Sequence, residues 1–413
     1  MKSADVGLPV ALQMSAFLLI SLVGWLAVVG LALLRSRAYA MFRGITLGMQ
    51  VLFAAALVHR FQSVLPVFCY LHATVFVQSL GLIRPRMRSL VYRALVSVPG
   101  AFFGAGTLLA LPWVLLHAFG FELPGVFVPY AAAAIGVLQS LWSREETRDI
   151  VVADSQIVPA LSRHADSDAR VQRPLRLVQI TDPHLGPFMS VERLAGICQR
   201  AVEKTPDLVL LTGDFLTMES QADPRLLETA LGPLKQLPGR VFACLGNHDH
   251  EALATVRRAL SENGVTLLVD EAVSLDTAAG RVQLVGMDFV WRDRKQHLAR
   301  VCAAYPREAG ALRIVLLHDP GAFVHLPDGE ADLTLSGHTH GGQVGLVSLG
   351  LPYTMMRAFV KMPDHGFWAR GTDRLYVHRG TGHYGFPLRL GVPSEESVLA
   401  VHSPTHHGAL LAS

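Results

Sequence analysis

Acidic side chains are nearly missing from the first third of this 413-residue sequence, where Asp5 and Glu122 are the only two before residue 144. Nine Lys and Arg share that stretch, which excludes a water-soluble domain with an ordinary charged surface there. Cysteine is scarce as well. Cys69, Cys198, Cys244 and Cys302 are scattered without a CxxC pair, which excludes a disulfide framework and a thiolate metal cluster and reads as buried thiols. Basic residues are not interleaved with aromatics, so the net charge of +3 gives no reason to expect a nucleic-acid partner. No Ser or Cys stands in a nucleophile motif beside a base.

What is present divides the chain. A hydrophobic content of 51%, a charged content of 17% and a mean hydropathy of +0.36 are the average of two unlike parts. Residues 1–143 read as a multi-span α-helical membrane region, 144–173 as a linker with at most one short strand, 174–403 as an α/β domain and 404–413 as a tail. A bilayer core of roughly 30 Å takes roughly 20 helical residues. The uncharged runs Val10 to Leu34, Phe61 to Ile83, Ala94 to Phe121 and Leu123 to Ser143 reach that length, and Gly44 to Val58 is a shorter fifth, so four or five helices are expected. The first run lacks a small-residue cleavage site and reads as a retained transmembrane helix. With five spans Arg35, Arg37, Arg43, Arg84, Arg86, Arg88 and Arg93 share one side, so the positive-inside rule places everything after Trp142 in the cytoplasm, on a multi-pass protein of the inner membrane. His72, Cys69 and His117 lie within these runs without carboxylate partners and read as polar helix contacts.

From Pro174 short apolar runs alternate with helical-period stretches. Expected strands are Leu175 to Thr181, Leu208 to Thr212, Val241 to Leu245, Val265 to Val269, Val282 to Met287, Ile314 to Leu317, Leu333 to Ser336, Leu375 to Val377 and Val398 to Val401. Helices are expected at Val191 to Lys204, Pro224 to Gln236 and Glu251 to Asn263, which makes two packed β-sheets flanked by helices.

Five of the runs end in bursts of one chemistry: Asp182-Pro183-His184, Gly213-Asp214, Gly246-Asn247-His248-Asp249, His318-Asp319 and Gly337-His338-Thr339-His340-Gly341-Gly342-Gln343. A single burst has a structural explanation as a helix cap or turn. Together they place carboxylates and imidazoles at the carboxyl ends of strands, where α/β folds gather their chemistry. Oxygen and nitrogen donors without thiolate suit Mn, Fe, Zn or Co. Seven ligand types are too many for one ion, whereas two ions roughly 3.5 to 4 Å apart activate water and hold phosphoryl oxygens.

These residues resemble the ordered DxH, GD, GNH, lone His and GHxH motifs of the calcineurin-like metallophosphoesterase superfamily, from about Arg176 to Val401. The GHTHGGQ segment and Arg379-Gly380-Thr381-Gly382 look like its bacterial, membrane-associated YkuE-like branch. The resemblance implies two divalent metal ions, one held by Asp182, His184 and His340, the other by Asn247, His318 and His338, with Asp214 shared. It implies that His248 contacts phosphate and protonates the leaving group. Many relatives carry Asp three residues after the shared Asp, to orient that His, and here Thr217 stands in its place. Asn247, His248 and the amides of Gly341 and Gly342 are expected to meet substrate.

The expected function is a membrane-anchored dinuclear-metal phosphoesterase that hydrolyses a phosphodiester, phosphomonoester or pyrophosphate bond by in-line attack of metal-activated hydroxide. Its expected partners are membrane lipids and a phosphoester, either a phospholipid or nucleotide-activated lipid or a cytosolic nucleotide. The alternative, suggested by Thr217, is a membrane-tethered metal-binding or sensing module with little turnover.

Overall fold

The computed structural model describes residues 10–152, 157–163, 173–383, 385 and 387–403, so the expected tail 404–413 lies outside the described residues. The chain divides into two compact units, with the boundary between Leu138 and Gln139.

The first unit is helical. Val10–Ala32 carries no charge and is apolar all round, with Leu19, Ile20 and Leu26 exposed. A second helical stretch, Arg37–Gly81, runs 45 residues, about twice what a bilayer core needs. It is broken by a tight turn, Val58–Val64, in which Phe61 leaves helical geometry at φ −112° and ψ 22°. Leu90–Leu109 and Leu111–Ala118 meet at a 49° bend, where Pro112 enters the first turn of the second helix and cannot donate to the preceding one. Gly125, at φ 74°, turns the chain before Val128–Ser140, whose 13 residues are too short to span.

Two stretches therefore have the length and composition to cross a membrane, or three if the bent pair is one span. The described helices thus give two or three stretches of spanning length and leave the expected four or five unconfirmed; the Pro112 bend and the Gly125 turn fall inside charge-free runs. His72 Nε2 lies 3.0 Å from Ser21 Oγ in a buried helix contact. His117 does have a carboxylate partner, Glu122, at 2.7 Å. Cys69 is exposed and the other three cysteines are buried.

The second unit has thirteen described strands: β1 (Ser143–Val151), β2 (Val158–Arg163), β3 (Leu175–Ile180), β4 (Leu208–Leu211), β5 (Val241–Ala243), β6 (Thr266–Leu267), β7 (Glu271–Thr277), β8 (Gly280–Gly286), β9 (Leu312–Leu316), β10 (Leu333–Ser336), β11 (Gly366–Gly371), β12 (Asp373–Val377) and β13 (Ser394–His402). They form a six-stranded sheet, β1-β13-β3-β4-β5-β6, and a seven-stranded sheet, β2-β11-β12-β10-β9-β8-β7. Within them β3-β4-β5-β6 and β12-β10-β9-β8 are parallel.

Leu177, Leu210 and Leu399 of one sheet and Leu284, Ile314 and Leu335 of the other share a single core. The opposite faces are covered by helices such as Val191–Glu203 and Arg294–Ala304. β4, β9 and β10 are buried along their whole length; β4 and the Ile314–Leu316 end of β9 read as apolar runs, whereas β9 also buries Arg313 and β10 buries Thr334 and Ser336.

The segment read as a linker supplies β1 and β2, one edge of each sheet, paired with β13 and β11. β1 is rich in charge, as an exposed edge tends to be, and lacks the apolar run that marks a central strand.

Candidate metal centre

Each ligand-bearing burst follows a parallel strand: Asp182 and His184 after β3, Asp214 after β4, Asn247 and His248 after β5, His318 after β9, and His338 and His340 after β10. Asp182, His184, Asp214, His338 and His340 all have φ between 45° and 68°, and they are five of the nine described non-glycine residues with positive φ. Left-handed backbone at such residues costs on the order of 1–3 kcal/mol each and persists where the surroundings over-determine it. Glycine next to ligands has a steric reason. A Cβ on Gly246 would overlap Asp214 Oδ1, and one on Gly337 would overlap Asp182 Oδ2.

Two groups result, Asp182 with His184 and His340, and Asp214 with His318 and His338, each with ligand-capable atoms within 4.8 Å of one another. His184 Nε2 and His340 Nε2 stand 3.2 Å apart, and Asp182 Oδ1 lies 3.4 Å from His340 Nε2. Asp214 Oδ2 lies 3.2 Å from His318 Nε2 and 3.7 Å from His184 Nε2, between the groups. Asn247 Oδ1 is buried with no hydrogen-bond partner among the described residues, an orphan that a cation would satisfy. The residues present thus fit a pair of divalent ions.

Burial lowers His184 to about 3 and His338 to about 4 and takes His340 well below its ordinary value, which keeps these imidazoles neutral as metal ligands must be. Arg389, fully buried against the His340 ring and carbonyl, adds to that. His318 behaves oppositely: burial disfavours its cation, but Asp214 raises it to about 10. Its Nδ1 meets Thr212 O at 2.6 Å, which leaves Nε2 for the centre. Burial raises Asp182 to about 6, with Asp214 adding to it, while Thr181 Oγ and the His338 N–H donate to its carboxylate. The amides of Thr381 and Gly382 brace this loop by donating to Thr181 O and Asp182 O at 2.9 and 3.0 Å.

His248 donates its backbone N–H to Asp214 Oδ1 at 2.9 Å. Its ring Nδ1 lies 3.0 Å from Glu251 Oε1, a partner that the sequence reading missed. Thr217 does not take that part: its hydroxyl donates to Leu185 O at 3.1 Å. Asp249 is engaged elsewhere too, since its buried carboxylate accepts the amides of Asp214, Phe215 and Gly246 at 2.7–2.8 Å and ties two ligand loops together. A signal for Glu251 existed in its i+3 spacing from His248, but Asp249 was the nearer acid. Gly341 N donates to Thr339 Oγ1 at 3.3 Å and Gly342 N to Thr339 O at 2.8 Å. Both amides are used within the turn, which is the structural role these glycines could equally have.

Residues 175–342 match the calcineurin-like phosphoesterase family. Phosphodiesterase YaeI of Escherichia coli (strain K12) is 31% identical over 232 residues, covering 55% of this chain and 82% of that protein. Metallophosphoesterase YkuE of Bacillus subtilis (strain 168) is 28% identical, over 55% of this chain and 79% of its own. A transmembrane protein with metallophosphoesterase domain from Danio rerio is 31% identical, over 54% of this chain and 52% of its own. The chain belongs to the calcineurin-like phosphoesterase family, in the bacterial branch that includes YkuE, and is a metal-dependent phosphoester hydrolase.

Proposed function

We propose that Asp182, His184 and His340 hold one divalent ion, that Asn247, His318 and His338 hold the other, and that Asp214 is shared between them in a membrane-anchored phosphodiesterase. The observation that carries this is the Asp214 carboxylate, with Oδ2 within reach of imidazoles from both groups and Oδ1 held by the His248 amide. When bound, the ions supply an activated water and a charge clamp on phosphoryl oxygens. Mn, Fe and Zn all suit the donor set.

The chain's own residues do the rest. Glu251 holds His248 Nδ1 and so fixes the ring, which turns Nε2 into the proton donor for the leaving ester oxygen. Burial disfavours the His248 cation, but Glu251 and then Asp214 hold it above its ordinary value, so that proton is retained near neutrality. Glu251 in this position supports turnover over the alternative of a tethered sensing module that Thr217 suggested.

The substrate is an amphipathic phosphodiester or pyrophosphate, such as a phospholipid or nucleotide-activated lipid, acted on at the inner membrane by a catalytic domain on the cytoplasmic side. Supporting this are the two apolar helical stretches and the relative named a transmembrane protein with metallophosphoesterase domain. A cytosolic nucleotide is the competing substrate.

The test is turnover of bis-p-nitrophenyl phosphate and p-nitrophenyl phosphate by the full-length protein in detergent, with Mn added or chelator present, beside Asp214→Asn. Mn-dependent hydrolysis that Asp214→Asn abolishes is the expected result, and equal turnover by that variant would overturn the metal assignment. Parallel assays on a lipid diphosphate and a nucleotide choose between the substrates, and a reporter fused after Ser403 reads the sidedness.

A further inference from the structure

We infer that residues 344–362 form a bilayer-docking surface beside the metal centre, one that fits an anionic lipid headgroup layer. The inference rests on the membrane-associated phosphoesterase reading above and deepens it.

Exposed large apolar side chains in the catalytic unit are concentrated in one place. Outside this segment the described ones are the pair Leu141 and Trp142 at the start of the unit and the isolated Ile157, Trp291 and Val324. Within it Leu346, Leu349, Leu351, Tyr353, Phe359 and Val360 are all exposed, Phe359 at 82%. Scattered apolar exposure needs no explanation, whereas a contiguous patch marks an interaction site.

The segment is not a slack loop. Leu346 N donates to Tyr353 O and Met355 N to Val344 O, both at 2.8 Å, and Thr354 Oγ1 donates to Asp364 Oδ2 at 2.6 Å. These bonds hold the apolar side chains outward instead of letting them collapse onto the domain.

Charge selects the partner. No Asp or Glu occurs between Asp332 and Asp364, while Arg357 and Lys361 are both exposed within the patch. Apolar side chains with a basic rim and no acid fit an anionic membrane surface. A bilayer is at hand, because the same chain carries apolar helices of spanning length.

Both ends of the segment are tied to the site. It begins four residues after His340, and Thr339, between His338 and His340, donates its hydroxyl to Asp364 O at 2.6 Å where the segment ends. Docking through it keeps the metal centre close to the headgroup layer, so a lipid phosphate reaches the site without leaving the interface.

The experiment uses full-length protein in nanodiscs of phosphatidylglycerol and phosphatidylethanolamine. In a Cys69→Ser background the remaining cysteines are buried, so Leu349→Cys, Phe359→Cys and, as a control on an exposed helix of the catalytic unit, Arg225→Cys each carry one accessible bimane label. Thermal melting first confirms that labelled and unlabelled proteins fold alike. Doxyl-lipid quenching at 349 and 359 is expected to exceed that at 225 by roughly threefold or more. Quenching equal to the control overturns the inference, as does a label shielded from both doxyl lipid and aqueous iodide, which would mean that protein covers the patch. Wild-type turnover of bis-p-nitrophenyl phosphate is measured on the same discs. Its absence would count against the functional reading, whereas turnover without quenching would count against docking alone.

Discussion

The helical and catalytic units handle polarity in opposite senses. In the helical unit large apolar side chains point outward, with Ile20 71% exposed, while Ser21, His72 and Thr107 are buried. In the catalytic unit the apolar side chains fill the space between and behind two sheets, and the buried polar groups gather where strands end, at Asp182, His184, Asp214, His318 and His340. The difference teaches that burial has no meaning apart from the solvent. Lipid rewards outward Leu and Ile, whereas in the water-facing domain a buried carboxylate persists only with partners such as the three amides on Asp249.

Four changes break or sharpen that contrast. Asp214→Asn removes the carboxylate shared by both ligand groups, and turnover of bis-p-nitrophenyl phosphate should fall by on the order of 10³-fold or more, with elemental analysis showing less bound metal. His248→Ala should cost about 10²–10⁴-fold in kcat, the range of a general acid, while metal content stays unchanged; a loss of metal instead would make it a structural residue.

The third is a paired test of the solvents. Ile20→Lys should oppose membrane insertion by about 3 kcal/mol, whereas Val324→Lys, at an exposed apolar position of the catalytic unit, should change stability by no more than about 0.5 kcal/mol. The membrane fraction of the expressed protein and thermal melting read the two arms. Smallest is Glu251→Gln, for which kcat should drop about tenfold with KM little changed and Glu251→Asp should recover part of the loss. An unaltered kcat would remove Glu251 from the positioning of His248.

Parts of this molecule were legible in the chain because a single local signal sufficed. β4 and the Ile314–Leu316 end of β9 are buried on both faces and read as apolar runs, and an Asp or His burst follows each. Other parts were not legible. β1 and β2 are edge strands recognised only by what they pair with, and β7 and the helix Arg294–Ala304 are charged enough to read as loop. The helix break at Pro112 lies inside a run that hydropathy treats as continuous, whereas the one at Phe61 falls where one charge-free run gives way to the next. Glu251 was hidden because two acids, Asp249 and Glu251, compete near His248 in sequence, and only the path of the backbone shows that Asp249 faces the amides and Glu251 the imidazole.

The sequence by itself determined which donor atoms this protein has for a metal, their order along the chain, and the separation of an apolar helical region from a strand-rich domain. Residue type sets donor chemistry, and local hydrophobicity sets where strands and helices are buried. The tertiary structure alone decided that Asp214 stands between the two histidine groups, that the Gly341 and Gly342 amides are used within their own turn, and that residues 344–362 present their apolar side chains outward. Those arrangements depend on loops from two sheets meeting at one place and on left-handed backbone at five ligand-type residues, because angles and approach distances are set by packing between segments that lie far apart in the chain.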